Sequence, residues 1–338
     1  MRQIKYGEAI NEALMEEMER DETVFLIGET VSADIYLHHQ GLYEKFGRNR
    51  VRDTAISETA IVGAGIGAAL AGYRPIADIM FSEFLAIAFD EVANKAAKWR
   101  FTHGGRTMTI PLVIKAAIGG YLGAGAEHSQ CFESPVMHTP GLKIAIPATP
   151  YDAKGLLKTA IRDNNPVIYF YHKMLQTEVG PVPEEDYTVP FGVADVKREG
   201  KDVTVVATGY MVKMCLQVAD ELQSKGISLE VIDPRTLEPL DIETIVASVK
   251  KTKRAVIVDE DTLRSGVTGE IVAQIMEKAF DYLDAPIQRV AAKNLPMPSL
   301  FMEEYVLPQP QKIADAVRVV LGTKEDLTVR PLQRARLS

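Results

Sequence analysis

The segment ISETAIVGAGIGAALAG, residues 56–72, joins a carboxyl group to a run of small residues that could approach a cofactor closely. Gly63, Gly65 and Ala68 satisfy the G-x-G-x-x-G/A fingerprint of a dinucleotide site, with Asp78 as a candidate for the acid that binds the ribose. That fingerprint requires a hydrophobic strand running directly into its first glycine. Polar residues stand there instead, which argues against a dinucleotide loop.

A helix suits the same segment better. Ser57 can cap its first turn, and Glu58 would lie near the positive end of the helix dipole. From periodicity alone, Glu58 complements that dipole, an effect typically worth ~0.3–1 kcal/mol. Gly63, Gly67 and Ala71 then fall at i, i+4 and i+8 and form one smooth stripe. Because such a stripe lets another backbone approach, the pattern predicts an interface helix or a buried helix.

His128 has the most informative context among the histidines. It follows the glycine-rich stretch GGYLGAGAE, and loops beyond the carboxyl ends of parallel strands line ligand crevices. A lone loop histidine is more often structural, so position alone assigns no role. The adjacent His38 and His39 face different ways in regular structure, and no zinc-binding spacing occurs. Nothing near Cys131 would activate its thiol, so we expect a small buried residue there.

These residues must be positioned by a chain that alternates strand and helix. A proline-rich acidic segment at 181–192 lacks periodicity and is predicted to be a linker. The alternation predicts two α/β domains, 1–180 and 193–322, each with a mostly parallel sheet covered by helices on both faces. The charged tail, 323–338, is predicted to be an extended arm or disordered. The predicted strands are 24–28, 75–80, 110–115, 142–146, 167–171, 203–207, 229–232, 255–258 and 287–290, and the predicted helices are 4–20, 60–71, 84–99, 151–163, 211–224, 241–250, 268–280 and 311–321.

Composition indicates an ordinary globular protein and excludes several function classes. The chain has 338 residues, 46% hydrophobic and 25% charged, and no apolar run reaches the roughly 18 residues of a membrane span. The acidic, amphipathic N-terminus resembles neither a secretory signal nor a mitochondrial presequence. A formal net charge of −8 without a Lys/Arg cluster argues against nucleic acid as a partner. Two cysteines without metal spacing predict a reducing, cytoplasmic setting.

Four separated stretches resemble one family. Glu58, followed at the spacing E-x4-G-A-x2-G by Gly63-Ala64 and Gly67, resembles the cofactor-activating motif of thiamine diphosphate enzymes. The resemblance covers residues 2–321 and implies a transketolase-like pyrimidine-binding domain followed by a transketolase-like C-terminal domain. The stretches similar to the beta subunit of the first component of 2-oxo acid dehydrogenases are RDTAISETAIVGAGIGAALAGYRPIADIMF, GAGAEHSQCFESPVMHTPGLKI, PYDAKGLLKTAIRDNNPVI and IDPRTLEPLD.

The resemblance implies roles for four residues. Glu58 would hydrogen-bond the pyrimidine N1′ of thiamine diphosphate and favour the tautomer whose neighbouring nitrogen can remove the thiazolium C2 proton. Such a role needs a carboxyl group in a mostly apolar, partly dehydrated pocket. Met80 and Phe84 would line the pyrimidine pocket, although both also suit a core position. His128 would transfer a proton or stabilise the transition state near the substrate carbonyl.

The stretch AIRDNNPV, residues 160–167, ends a predicted helix and is a candidate cation site. Pro166 stops the helix and leaves its last carbonyl oxygens without intrahelical partners. A hard monovalent cation or simple capping by water would satisfy them, and the residues alone leave both open. The family resemblance implies potassium here, held mostly through backbone oxygens by Leu112, Ala160, Ile161, Asp163 and Asn165.

The G-D-G motif that holds Mg²⁺ and diphosphate in thiamine enzymes does not occur in this sequence. The resemblance therefore implies an alpha chain that supplies the diphosphate and Mg²⁺ half of the site, in a two-alpha, two-beta heterotetramer. The C-terminal domain would contact a lipoyl acyltransferase core. The expected enzyme cleaves a C–C bond of acetoin or a 2-oxo acid and reductively acylates a lipoyl group.

Substrate preference stays open at this point. Ser32–Gln40 shortens a loop that lies near the active site in the family, and three stretches, PATPYDAKGLL, PVIYFYHK and VPEEDYTVPFG, look most like acetoin dehydrogenase beta chains. Pyruvate or branched-chain 2-oxo acids are the alternative substrates. Two further alternatives are an NAD(P)-dependent oxidoreductase using the glycine run, and an assembly subunit that contributes no chemistry.

Overall fold

A computed structural model describes residues 1–33, 36–105 and 108–331, with every side chain in these ranges except that of Phe301. The chain forms two compact units. The first comprises residues 1–122, 127–192 and 236–239, and the second comprises 123–126, 193–235 and the chain from Leu240 onward. Part of the loop Ser32–Gln40 and residues 332–338 of the predicted tail lie outside the described residues.

Strands occur close to every predicted position. Val24–Gly28 and Val203–Ala207 have the predicted bounds, and the other predicted strands shift by one to four residues at one or both ends. The strands are β1 (Arg2–Lys5), β2 (Val24–Gly28), β3 (Val51–Asp53), β4 (Arg74–Phe81), β5 (Val113–Ile118), β6 (Lys143–Ala145), β7 (Val167–His172), β8 (Val179–Val182), β9 (Asp195–Arg198), β10 (Val203–Ala207), β11 (Leu229–Asp233), β12 (Thr236–Glu238), β13 (Ala255–Thr262) and β14 (Gln288–Ala292).

Helices separate the strands, with their ends set by local signals. Thr149 caps one helix by accepting a hydrogen bond from Asp152 N, with Pro150 in its first turn, and Asp241 caps another by accepting from Thr244 N. The helices are α1 (Tyr6–Arg20), α2 (Leu42–Phe46), α3 (Glu58–Leu70), α4 (Ala97–Thr102), α5 (Glu133–Met137), α6 (Pro150–Arg162), α7 (Tyr210–Gln223), α8 (Ile242–Thr252), α9 (Val267–Ala279) and α10 (Pro310–Leu321).

A seven-stranded sheet organises the described part of the first unit, in the order β12-β6-β7-β5-β4-β2-β3. All neighbours in it are parallel except β12, which runs antiparallel to β6. Every residue of β2, β5 and β7 is buried, as expected for strands covered on both faces. Since β3, β4, β5 and β7 run the same way, the segments that follow them emerge at one edge of the sheet, here called the carboxyl edge.

One prediction for this unit needs correction. The predicted helix 84–99 is broken into a 3₁₀ turn at Ser82–Ala86, a π-helical stretch at Glu91–Ala96 and α4. The spacing of apolar residues in this segment does not reveal a π-helix, which accommodates one extra residue compared with an α-helix. The segment predicted as a linker packs on the first unit, because β8 pairs antiparallel with β1 and Val189 N donates to Gly155 O at 3.1 Å.

In the second unit, the described strands form a five-stranded sheet in the order β14-β13-β10-β11-β9, parallel except for β9. The described start of the predicted tail packs on this unit. Leu327 and Val329 are buried, and Val329 N donates to Gln311 Oε1 at 3.1 Å. Among the described residues no helix is long and apolar enough to cross a membrane.

Asp259, in the second half of β13, is buried beside other acids. Its carboxylate accepts hydrogen bonds from Thr208 Oγ1 and, at 2.7 Å, from Asp261 N. Burial and then the neighbouring charge of Asp261 raise the pKa of Asp259 to about 7. The unfolded chain ionises this carboxyl near its ordinary pKa of about 3.8. Its contribution to stability is therefore present below about pH 4 and is lost as pH rises through 7.

We predict that Asp259→Asn raises the melting temperature at pH 8 more than at pH 5, since the amide keeps an acceptor and never ionises. Three pKa units correspond to about 4 kcal/mol, which is an upper limit for the gain. Thermal unfolding at both pH values measures it, with the exposed Asp281→Asn as control. A shift that is equal at both pH values would contradict the ionisation argument.

Candidate active site

Glu58 is the first residue of α3. This helix follows β3, whose last residue lies at the carboxyl edge of the sheet. Ser57 occupies the N-cap position as predicted, but its side chain makes no capping hydrogen bond. The Glu58 side chain is only 6% exposed and makes no hydrogen bond or ion pair with any described residue. Its carboxyl group is therefore mostly buried, yet its oxygens are not taken up by any described residue. It is therefore a candidate for binding a group that this chain does not itself supply.

The glycine run lies inside α3, which corrects the dinucleotide interpretation. A phosphate loop needs its glycines in the turn between a strand and a helix, whereas Gly63, Gly65 and Ala68 are all helical. Gly65 packs inward, where an added Cβ would lie 2.9 Å from Leu112 Cδ1. Gly67 faces outward, with nothing within 4 Å of an added Cβ. The run thus serves packing on one face and leaves a smooth exposed face on the other.

The end of β4 presents apolar side chains at the same edge. Met80, Phe81 and Phe84 are half-buried, and the rings of Phe81 and Phe84 meet edge to face at 5.8 Å. The 3₁₀ turn that carries Phe84 is tied to α3, because Thr59 Oγ1 donates to Ile87 O at 3.0 Å. Half-buried aromatic and thioether groups of this kind form a wall on which a flat heterocycle can pack.

His128 lies in the loop that follows β5 and is held there by several contacts. Gly119 N donates to Gln130 O at 3.0 Å, which closes the loop, and Gln130 N donates to Glu83 Oε1 at 2.5 Å. Lys173 Nζ donates to His128 O. The imidazole packs edge to face on Phe81 at 4.5 Å and on Phe84 at 5.8 Å. The predicted histidine and one predicted pocket residue, Phe84, are therefore in direct contact.

Sequence reasoning missed the residues that support this arrangement. The Phe81 ring lies nearer to His128 than the Phe84 ring does, while Glu83 and Lys173 hold the backbone of its loop. Burial raises the pKa of Glu83, although the hydrogen bond from Gln130 N opposes that shift. Lys173 directly follows β7, so the rule that loops beyond parallel strands line the site could have identified it.

The residues predicted to hold potassium meet at the opposite, amino edge of the sheet, since Leu112 precedes β5 and the end of α6 precedes β7. Protein cations already contact them. Arg74 Nη1 donates to Ile161 O and to Asp163 O, both at 2.9 Å, and Lys143 Nζ pairs with the Asp163 carboxylate. Leu112 O accepts from Val167 N at 2.9 Å, and Ala160 O accepts from Asp163 N at 3.3 Å.

Asn165 completes this group of oxygens. Its Oδ1 accepts from Arg100 Nη1 at 2.5 Å, while its Nδ2 and N donate to Asp163 Oδ1 at 2.7 and 2.8 Å. Burial would raise the pKa of Asp163, but the Lys143 pair and the hydrogen bonds from Asn165 lower it below its ordinary value. The carboxylate is therefore charged near neutral pH and offsets part of the surrounding positive charge.

One other prediction concerns a single residue. Cys131 is half-buried rather than buried, because it lies in the loop between His128 and α5, and neither Cys131 nor Cys215 forms a disulfide bond. The described residues hold no group of three His, Cys, Asp or Glu side chains arranged for a metal ion.

Comparison with known families agrees with this division of the chain. Residues 2–178 match the pyrimidine binding domain of transketolase, and residues 192–313 match the transketolase C-terminal domain. The chain belongs to the family of beta subunits of thiamine diphosphate-dependent dehydrogenases. This confirms the family predicted from the four sequence stretches and the fold of two transketolase-like domains.

Three relatives of this beta subunit come from Bacillus subtilis (strain 168). The acetoin:2,6-dichlorophenolindophenol oxidoreductase subunit beta is 43% identical over 95% of this chain and 98% of its own length. The 2-oxoisovalerate dehydrogenase subunit beta is 44% identical over 93% and 98%, respectively. The pyruvate dehydrogenase E1 component subunit beta is 42% identical over 95% and 99%. Identities so close together do not separate the three substrates.

Among solved structures, a split gene transketolase described as an inactive beta4 tetramer aligns with a TM-score of 0.76. It is 24% identical, and the alignment covers 95% of this beta subunit and 99% of that chain. A likeness at this level of identity shows the fold. None of the comparisons supports the NAD(P)-dependent oxidoreductase that the glycine run left open.

Proposed function

We propose that this beta subunit supplies the pyrimidine half of a split thiamine diphosphate site in an acetoin dehydrogenase, with pyruvate or a branched-chain 2-oxo acid as the alternative substrate. The observation that carries the proposal is the mostly buried carboxyl of Glu58, which has no partner among the described residues. It stands at the same sheet edge as Met80, Phe84 and His128. A carboxyl group in an apolar, partly dehydrated site is suited to share a proton with a ring nitrogen.

These residues fit the pyrimidine part of the cofactor. Glu58 would hold a proton between its carboxyl group and pyrimidine N1′, and Met80 and Phe84 would pack on the ring. When bound, the cofactor supplies the carbanion chemistry that cleaves a bond next to a carbonyl group. His128, placed by Phe81 and by Lys173, would donate or accept a proton at the substrate oxygen.

The proposed partner is an alpha chain that carries the Mg²⁺ and diphosphate half, in a two-alpha, two-beta heterotetramer. Two features support a partner surface. Outward-facing positions of α3, including Ala60, Ala64 and Gly67, are exposed and small, so a second backbone can approach them. Ile56 and Ile87 lie exposed near the start of this helix. We further propose a cytoplasmic location and a lipoyl acyltransferase core as acceptor of the acyl group.

Co-purification from the native host tests the split site, with mass spectrometry of whatever accompanies the chain in stoichiometric amount. A companion that carries G-D-G followed by asparagine supports the proposal. A chain that elutes alone and binds NAD saturably would overturn it. Assays of the assembled enzyme with acetoin, pyruvate and branched-chain 2-oxo acids then decide the substrate, and acetoin is the expected one.

We predict that Glu58→Gln in the assembled enzyme lowers turnover by roughly a thousandfold or more, because the amide cannot share the proton with the pyrimidine; that is about 4 kcal/mol. Assembly with the alpha chain should be unchanged in size-exclusion chromatography. The matched control is Glu44→Gln, which removes an exposed carboxyl of α2. Normal turnover of the Glu58 variant would instead favour a subunit that assists assembly without contributing chemistry.

His128→Ala should separate chemistry from cofactor binding. Loss of the imidazole removes a proton donor or acceptor, so reductive acylation should fall by roughly a hundredfold or more. The dissociation constant of thiamine diphosphate should change much less, which calorimetric titration of the assembled apoenzyme can measure. Equal losses in both quantities would show that the histidine shapes the pocket rather than acting on the substrate.

We also propose a potassium ion at the oxygens of Leu112, Ala160, Ile161, Asp163 and Asn165. Each backbone carbonyl oxygen there keeps a second lone pair beside the hydrogen bond it accepts. Because Arg74, Lys143 and Arg100 already neutralise this group, we expect potassium to raise the melting temperature only modestly. The measurement compares KCl with tetramethylammonium chloride at equal ionic strength. Identical melting temperatures would remove potassium from the proposal.

A further inference from the structure

β4 does not run straight to the candidate site. Asp78 lies opposite Lys115 in the pairing with β5, and Phe81 lies opposite Ala117, so three steps along β4 match two along β5. The extra residue forms a bulge, and bulges commonly re-aim side chains next to active sites. Within the bulge, Met80 has a φ of 63°, in the left-handed region that side chains other than glycine seldom adopt. This conformation costs about 1–3 kcal/mol and needs local support.

Asp78 provides that support from two residues away. Its Oδ1 accepts a hydrogen bond from Met80 N at 2.9 Å. Its Oδ2 accepts one from Lys115 Nζ at 2.6 Å and faces His39 Nε2 at 3.2 Å. The side chains of Asp78 and Lys115 are 7% and 0% exposed, so the ion pair is shielded from solvent. Burial would raise the pKa of Asp78, but Lys115 and then His39 lower it, and the carboxylate stays charged.

His39 connects this carboxylate to the segment that precedes α2. The neighbouring His38 is buried, its Nε2 lies 2.7 Å from Gln176 Oε1, and its ring packs on Tyr171 at 4.5 Å. Asn11 Nδ2 donates to His38 O at 2.9 Å. Lys115 Nζ also lies over the Tyr171 ring at 4.5 Å. The carboxylate of Asp78 therefore joins β4, β5 and a segment fixed to the rest of the first unit.

We propose that Asp78 is a positioning residue for the cofactor pocket: it holds Met80 in its left-handed conformation, with Lys115 and His39 holding the carboxylate in turn. This inference rests on the proposed thiamine site, in which Met80 lines the pyrimidine pocket. The bulge also places Phe81 against His128 at 4.5 Å. One buried carboxylate thus sets both the wall of the pocket and the packing of the proposed acid–base group.

The test uses the assembled enzyme with its alpha chain. Asp78→Asn retains one oxygen for Met80 N but turns a donor toward Lys115. We expect the dissociation constant of thiamine diphosphate to rise by roughly tenfold or more, which is about 1.4 kcal/mol. Turnover at saturating cofactor should fall less. Asp78→Glu keeps the charge and should recover part of the affinity for thiamine diphosphate. If the ion pair between Asp78 and Lys115 served stability alone, neither variant would change that affinity.

Two further variants keep the test decisive. Glu17→Gln breaks another buried ion pair of the first unit, with Arg162 at 2.6 Å, and should lower thermal stability without changing cofactor affinity. His39→Ala removes one partner of Asp78 but leaves Lys115 in place. It should weaken cofactor binding by a smaller factor than Asp78→Asn does. This variant can be measured even if Asp78→Asn does not fold. Unchanged affinity in His39→Ala, or an Asp78→Asn phenotype equal to that of Glu17→Gln, would overturn the positioning role.

The outcomes also separate this inference from the proposed function. If Glu58→Gln abolishes turnover while the Asp78 and His39 variants bind thiamine diphosphate normally, only the positioning role is wrong. If the assembled wild-type enzyme does not bind thiamine diphosphate at all, the proposed function is wrong, and the positioning role has no pocket to serve.

Discussion

The common direction of β3, β4, β5 and β7 is the constraint on which the site depends. Parallel strands deliver their following segments to one edge of the sheet, so residues far apart in sequence emerge together. Glu58 follows β3, Met80 and Phe81 end β4, His128 lies in the loop after β5, and Lys173 follows β7. The contact between the His128 and Phe81 rings is a direct result of this shared edge. Reversing any one of these strands would separate the site.

The opposite edge of the same sheet has a different task. There the end of α6 leaves carbonyl oxygens that no helical N–H can reach, and a long parallel strand begins beside them. Arg74, the first residue of β4, donates to two of these oxygens. The same strand therefore closes a helix end with its first residue and contributes apolar side chains to the candidate site with its last ones. The closed helix end and the candidate site therefore lie at opposite ends of one strand.

Much of the fold could be predicted from sequence, because buried parallel strands are continuous apolar runs. Val24–Gly28 and Val203–Ala207 were predicted with correct bounds for this reason. The short strands β1 and β8 carry no such run, since they pair only with each other and are partly exposed. The broken helix at 84–99 has helical spacing of its apolar residues, and only tertiary packing decides its π-helical stretch.

The residues of the candidate site differ in the same way. Some are marked by the sequence around them, and others become important only through contacts between distant segments. Glu58 and His128 were recognisable because the motifs around them are contiguous. The roles of Asp78 and Lys115 were not, because the two residues become partners only through the β4–β5 register. Sequence reasoning considered Asp78 as an acid for a ribose, and the structure instead shows it bound to Lys115 and to Met80 N. Pairing between strands is long-range information that single-residue patterns do not contain.

The contrast between the two buried carboxyl groups, Asp78 and Glu58, completes the argument. Asp78 has its charge neutralised by Lys115 and its oxygens filled by hydrogen bonds, so it can define a rigid backbone. Glu58 is as deeply buried and has no partner among the described residues. A carboxyl group placed in this way can share a proton with a group that reaches it from outside. Of these two carboxyl groups, Asp78 is suited to hold a backbone in place, whereas Glu58 is suited to meet a group supplied from outside the described residues.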